Sequence, residues 1–380
     1  MSTFNGQMQE IQHISVDNFE NTESKCYFLS HCHSDHMRSL ENLSQISSPL
    51  YTTTMSALII QKKYPSINVQ ILEYGFPMNI EFMDDDGKEV KFIVTALNAT
   101  GHCMGACMLL FQIEGLDILY TGDFRISLKH AQNIKVLNEI KSYGNLVLYL
   151  DTTFLNHSYK HFPTQHESSS KIIEIIDKHL SQSSSNRVCM QPSARYGYER
   201  LLTDINKKFK EKVYIHEEAV YEQYLVISEL TTCITRDILN SRIYLKPSFV
   251  SDSDGKTNDK NTLNIKLSAM YWKNWTKDRP FEHMDESKKT VRVCYATHNS
   301  LSEIEDFVAF LEPKSIIATV VPDNFREKEI MNTMIRNMIK SYNKSNMDVD
   351  DKKPKNRFKR LRTINSRNCD SQQVFKKVKQ

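Results

Sequence analysis

Phe28-Leu29-Ser30-His31-Cys32-His33-Ser34-Asp35-His36 is the stretch whose reading decides the fold. Three histidines and one aspartate fall within six positions, directly after an apolar run at residues 26–29 that reads as a buried strand. His31 and His33 are two residues apart, so on an extended segment their side chains point the same way. Asp35 and His36 follow where the strand hands over to a loop. Imidazole and carboxylate together suit zinc and similar divalent ions. The spacing allows one ion on His31 and His33 and a second on Asp35 and His36. A chance cluster of polar surface residues would lack both the apolar strand that feeds this one and further ligand candidates downstream.

Such candidates follow. Asn98-Ala99-Thr100-Gly101-His102-Cys103-Met104-Gly105 sets His102 between glycines in a loop, where glycine permits backbone angles that aim the imidazole. Ile118-Leu119-Tyr120-Thr121-Gly122-Asp123-Phe124 is a strand ending in Gly-Asp, and the apolar run at 146–150 ends in Asp151. Alone, His102 reads as a satisfied loop residue and Asp123 as a turn cap. With the first cluster they complete a site: His31, His33 and His102 on one ion, Asp35 and His36 on another, Asp123 bridging. Ligands at the ends of successive strands are what a layered αββα hydrolase needs.

The length of 380 residues allows about two domains. No stretch approaches the roughly 18 uninterrupted apolar residues of a membrane span, and the N-terminal residues lack a signal-peptide pattern. Eight cysteines without a CxxC pair read as reduced thiols of an intracellular protein. The net charge of +3 hides an asymmetry. Residues 351–380 hold eleven Lys/Arg against two Asp, so the body is mildly acidic. Such a tail suits contact with polyanions or a nuclear import receptor, or is simply a solvated, disordered end.

Asp84-Asp85-Asp86-Gly87 between two β-rich runs signals a hairpin turn. After Phe154 the character changes to α/β alternation, with an amphipathic helix over 168–180, which suggests a second parallel-sheet unit. Residues 251–261 have almost no apolar content and read as a flexible loop. Trp272 and Trp275 beside Tyr271, Lys273 and Lys277 suit either ordinary packing or a clamp on a nucleic-acid strand. In Thr297-His298-Asn299-Ser300-Leu301-Ser302-Glu303, Ser300 and Glu303 have capping-box spacing. His298 therefore falls at a helix N-terminus, whose free N–H groups suit a phosphate.

His-Cys-His-Ser-Asp-His, Gly-His-Cys-Met-Gly, Tyr-Thr-Gly-Asp-Phe-Arg, Leu-Asp-Thr-Thr-Phe and the 297–303 segment resemble the motifs of the metallo-β-lactamase-fold DNA nucleases of the cross-link repair family. The resemblance spans about residues 1–340. It implies an α/β protein: an αββα metallo-β-lactamase sandwich over 1–156, closed by 291–340. A β-CASP domain would be inserted at 157–290, with a basic tail at 341–380. It implies Zn²⁺ on His31, His33 and His102, and Mg²⁺ or Mn²⁺ on Asp35 and His36, with Asp123 between. Asp151 would orient a ligand histidine or bind the second ion. His298 would bind the scissile phosphate or protonate the leaving oxygen. Ser30, Ser300 and Arg195 would hold a 5′-phosphate. The implied activity is 5′→3′ exonuclease action on single strands, with hairpin or overhang cleavage, in double-strand break or cross-link repair. Alternatives are a telomere-end exonuclease, an RNA-processing β-CASP nuclease and a non-catalytic repair scaffold. DNA, the DNA-dependent protein kinase and other end-joining factors would be the partners of a nuclear monomer. Two departures stand out. Asn299 and Leu301 replace a serine and a tyrosine of the family pattern. Residues 239–249 hold no His or Cys to join His216 in a structural zinc site, so none is expected there.

Overall fold

The computed structural model describes residues 2–98, 101–141, 144–247 and 261–345. The expected flexible loop and all but a few residues of the basic tail lie outside these ranges. Two sheets are stacked in the part that carries the histidines. The smaller has four parallel strands in the order Ile14–Val16, Cys26–Phe28, Leu50–Thr52, Val69–Ile71. The larger has six, running from Ser315–Ala318 through Leu146–Leu150, Leu116–Tyr120, Cys107–Ile113 and Glu89–Asn98 to Pro77–Met83.

Two-sided burial explains why these strands read as unbroken apolar runs. Cys107, Leu109 and Phe111 face the smaller sheet, together with Ile118, Tyr120, Val147 and Tyr149. There they meet Ile14, Val16, Cys26 and Phe28. The alternate residues Met108, Leu110, Leu119, Leu148 and Leu150 face the other way. They are covered by the helices Leu128–Asn133, Lys135–Lys141, Leu301–Leu311 and Phe325–Ser345. The outer face of the smaller sheet is covered by the 3-10 turn Leu40–Gln45 and the helix Thr54–Lys63. The layers are thus α, β, β, α. The helix Thr54–Lys63 is capped by Thr53, whose hydroxyl accepts from the Ser56 amide. The Asp84–Gly87 stretch forms the expected turn between paired antiparallel strands.

The second unit is a seven-stranded sheet, parallel except for its edge strand Glu282–Asp285. The helices Gln165–Leu180 and Glu199–Phe209 supply apolar residues to its core. The first of these opens with a full capping box, Thr164 with Glu167. At the junction of the two units Phe154, Tyr159, Phe162, Trp272 and Trp275 form an aromatic cluster. Both tryptophans are therefore packing residues, and the Trp275 indole donates to the carbonyls of Arg279 and Pro280.

Leu148 lies in the strand paired on both sides and is fully buried. Leu148→Ala should lower unfolding stability by about 2–5 kcal/mol through lost burial and a residual cavity. The expected readout is a lower urea midpoint with an unchanged slope.

Candidate metal centre

The candidate side chains gather where strands end. Residues 31–36 follow strand Cys26–Phe28, and His102 lies in the loop between Glu89–Asn98 and Cys107–Ile113. Asp123 and Asp151 follow Leu116–Tyr120 and Leu146–Leu150, and His298 sits just before the helix Leu301–Leu311. Glycine makes one of these turns possible: at Gly122, with φ of 54°, an added Cβ would lie 2.9 Å from the Ser30 side chain.

His33 Nδ1 is 3.1 Å from His31 Nε2 and 2.9 Å from His102 Nε2. Asp123 Oδ2 lies 3.6 Å from His31 Nε2 and 3.5 Å from His102 Nε2. On its other side Asp123 Oδ1 is 3.2 Å from His36 Nε2, and Asp35 Oδ2 is 3.9 Å from the same nitrogen. His298 Nε2 approaches Asp123 Oδ2 at 3.9 Å, while its Nδ1 bonds Asp151 Oδ2 at 2.8 Å. The structure thus brings together His31, His33, Asp35, His36, His102, Asp123, Asp151 and His298.

The outward bonds of the imidazoles settle where their lone pairs point. Ser30 Oγ donates to Asp17 Oδ2 at 2.5 Å, so it accepts from His31 Nδ1 at 2.9 Å. His102 Nδ1 donates to the Thr297 carbonyl at 3.0 Å. His36 Nδ1 donates to Asp17 Oδ2 at 2.7 Å. The Nε2 atoms of His31 and His102 are then unprotonated acceptors aimed inward, while His36 Nε2 is turned toward Asp123 Oδ1. Acceptors facing acceptors repel unless a cation lies between them. The spacings around His31, His33, His102 and Asp123 are also those of a tetrahedral site, whose donors sit about 3.3 Å apart for bonds of about 2.0–2.1 Å. These residues fit a divalent ion.

Titration divides the histidines into two kinds. Burial holds His31 and His102 well below the usual imidazole range and lowers His33 to about 4, so these three are neutral. Burial acts the same way on His36, but the Asp123 and Asp17 carboxylates overcome it and hold that imidazole well above the usual range. His298 is raised to about 9: burial opposes the shift, and Asp151 and Asp123 drive it. Burial would raise Asp123, yet His36 and His298 keep its carboxyl well below the usual range.

Three expected phosphate-binding residues are placed differently. The Ser30 hydroxyl is fully buried and engaged by Asp17 and His31, so it does not face the cleft. Ser300 is buried as the cap of helix Leu301–Leu311, exchanging bonds with Glu303. Only Arg195 lines the cleft, a hollow of about 1080 Å³ over the metal ligands, and it pairs with Glu217 at 3.0 Å.

Asp17 escaped the sequence reading. Its buried carboxylate accepts from the Ser30 amide at 2.7 Å, the Ser30 hydroxyl, His36 and the Tyr120 hydroxyl at 3.0 Å. A signal existed, because Asp17 directly follows strand Ile14–Val16 as Asp151 follows its own strand. Asp35 Oδ2 is likewise fixed from outside the motif, by the Ser2 amide at 3.0 Å.

Comparison with known proteins adds to this geometry. Residues 155–324 match the family model described as DNA repair metallo-beta-lactamase. The protein artemis of Mus musculus is 30% identical over an alignment covering 99% of this chain and 56% of that protein. The chain is Artemis-like. The Homo sapiens protein artemis is 29% identical, with 96% of this chain and 55% of that protein aligned. A DNA cross-link repair 1A protein of Mus musculus is 28% identical over 84% of this chain and 31% of that protein. The Artemis-like chain spans about half the length of the artemis proteins it matches. Its layered sheets are those of a metallo-β-lactamase α/β fold.

Asp17→Ala should weaken zinc binding by about 10–100-fold, because it frees His36 and, through Ser30, His31. A titration against a chromophoric chelator measures this. Unchanged affinity would show that Asp17 does not orient the ligands.

Proposed function

We propose that this Artemis-like chain is a metal-dependent nuclease that hydrolyses DNA phosphodiester bonds. It would act as a 5′→3′ exonuclease on single strands and as an endonuclease on hairpins and overhangs, in the repair of DNA ends within the nucleus. The observation that carries the reading is the convergence of imidazole nitrogens and carboxylates on Asp123, at the floor of an open cleft.

His31, His33 and His102 are a neutral nitrogen set suited to Zn²⁺, with Asp123 shared between sites. Asp35, His36 and Asp123 form a more oxygen-rich set suited to Mg²⁺ or Mn²⁺. Bound divalent ions would supply a water activated at neutral pH and would screen the charge on the attacked phosphate. The chain's own residues do the rest. Asp35 and Asp123 offer carboxylate oxygens on the cleft side, and both line it. His298, held by Asp151 and carrying a proton, faces the same cleft. It is placed to hold the scissile phosphate and to give its Nε2 proton to the leaving oxygen. Asp151 acts through His298: its Oδ1 accepts the Thr153 amide at 3.0 Å and hydroxyl at 2.6 Å, leaving Oδ2 for the imidazole. Arg38, Lys63 and Arg195 on the rim put positive charge along the path of a DNA backbone.

The test uses 5′-phosphorylated single strands and DNA hairpins as substrates, with Asp35→Asn as the control. Wild type should cut in Zn²⁺ with Mg²⁺ or Mn²⁺ and stop in chelator. Asp35→Asn should lose about 100-fold or more in rate, the scale for removing one preorganised charge-stabilising group. Equal cleavage by the two proteins would sink the proposal, as would preferential cutting of matched RNA.

A further inference from the structure

The loop at residues 101–105 brings His102 to the other imidazoles, yet few of its anchors belong to the two stacked sheets. Gly105 O accepts the Thr53 hydroxyl at 2.7 Å, which ties the far end of the loop to helix Thr54–Lys63. The Gly101 carbonyl accepts the side-chain amide of Gln165, the first residue of helix Gln165–Leu180 in the second unit. Beside the imidazole, the contacts come from residues 196–199, which lead into helix Glu199–Phe209 of the same unit. Gly197, with φ of 102°, packs so closely that an added Cβ would lie 2.5 Å from the His102 carbonyl oxygen. The Gly197 amide donates to Glu199 Oε1 at 2.9 Å. Tyr196 lies nearly parallel to His33, with ring centroids 5.8 Å apart and an interplanar angle of 13°. One short turn therefore touches the backbone carbonyl of His102 and the face of His33.

The Glu199 carboxyl is only partly exposed, and its desolvation raises it above the usual carboxylate range. Its neighbours are Cys103, Tyr196, Tyr198 and Tyr224. No cation pairs with it among the described residues, so its compensation comes from backbone amides.

We propose that Glu199, with the Gly197 turn, is a positioning element that sets His102 in the first metal site and couples that site to the placement of the second unit. Glu199 touches neither metal nor substrate; it acts by holding the Gly197 turn, whose backbone packs against the His102 carbonyl. The proposal rests on the metal-centre reading above, but not on DNA being the substrate.

The test is metal binding by the full chain without DNA. Zn²⁺ affinity is read by chelator competition, and the visible absorption of the Co²⁺ form reads coordination geometry. Glu199→Ala should weaken Zn²⁺ binding by about 10–100-fold and change the Co²⁺ band, as expected for loss of a group that orients a ligand. Glu199→Gln keeps an oxygen acceptor for the Gly197 amide, so it should hold wild-type affinity and spectrum. Gly197→Ala forces a methyl against the His102 carbonyl and should move the band in the same direction as Glu199→Ala. It decides the case should Glu199→Ala fail to fold. Wild-type affinity and spectrum in the folded Ala variants would overturn the proposal, and so would Glu199→Gln falling as far as Glu199→Ala. A wild type that binds Co²⁺ as expected but cuts no DNA would overturn the nuclease reading alone.

Discussion

The edge of the two sheets is governed by a shortage of hydrogen. Around Asp123 the chain gathers the buried imidazoles of His31, His36 and His102 and the partly exposed His298, and the neutral rings turn lone pairs inward with no proton to fill them. Leaving such acceptors facing one another in a dry interior costs several kcal/mol or more. A cation removes that cost, so order at this edge is coupled to metal binding. Everything that points the nitrogens inward works against the apo state. The Ser30 hydroxyl, the Thr297 carbonyl and the carboxylates of Asp17 and Asp151 each occupy an Nδ1 and leave Nε2 exposed to the centre.

The sandwich serves this arrangement. The central strands of the six-stranded sheet are buried on both faces, and packed elements of this kind place the loops at their ends more precisely than free loops would. Arg125 extends the same rigidity outward. It follows Asp123 by two residues and donates to the carbonyls of Ala296 and Pro163, at 3.0 and 2.9 Å, and to Glu303 at 3.2 Å. One guanidinium thereby fixes the Asp123 loop, the approach to His298 and the start of the second unit relative to each other.

Much of this was legible in the sequence, for a physical reason. Two-sided burial leaves unbroken apolar runs, and chemistry that needs many ligands leaves His and Asp at the ends of those runs. The layered α/β architecture and the gathering of the His31–His36 cluster with His102, Asp123, Asp151 and His298 follow from those two signals. What was not legible depends on partners distant in the chain. Ser30 and Ser300 carry hydroxyls in plausible places, but only the fold shows that Asp17 and Glu303 have claimed them. Asp17 itself looks like a turn residue until the fold brings Ser30 and His36 onto it. For the tryptophans at 272 and 275 the flanking lysines leave packing and a nucleic-acid clamp both open in the sequence, and the fold decides for packing, with the indoles in the seam beside Phe154.

The same residue type does two jobs here, and the group behind each ring decides which. His31 and His102 rest their Nδ1 on a hydroxyl and a carbonyl, neutral acceptors that fix the ring without favouring its charged form. Burial then dominates and keeps both imidazoles neutral. His36 and His298 rest theirs on carboxylates, Asp17 and Asp151, and both are held toward the protonated form. For His36, at 2% side-chain exposure, the carboxylate makes a more basic ligand beside the oxygen-rich half of the site. His298, at 20% and facing the cleft, keeps its raised imidazole within reach of solvent. Distance from solvent, not residue identity, separates these two carboxylate-backed rings on one sheet edge.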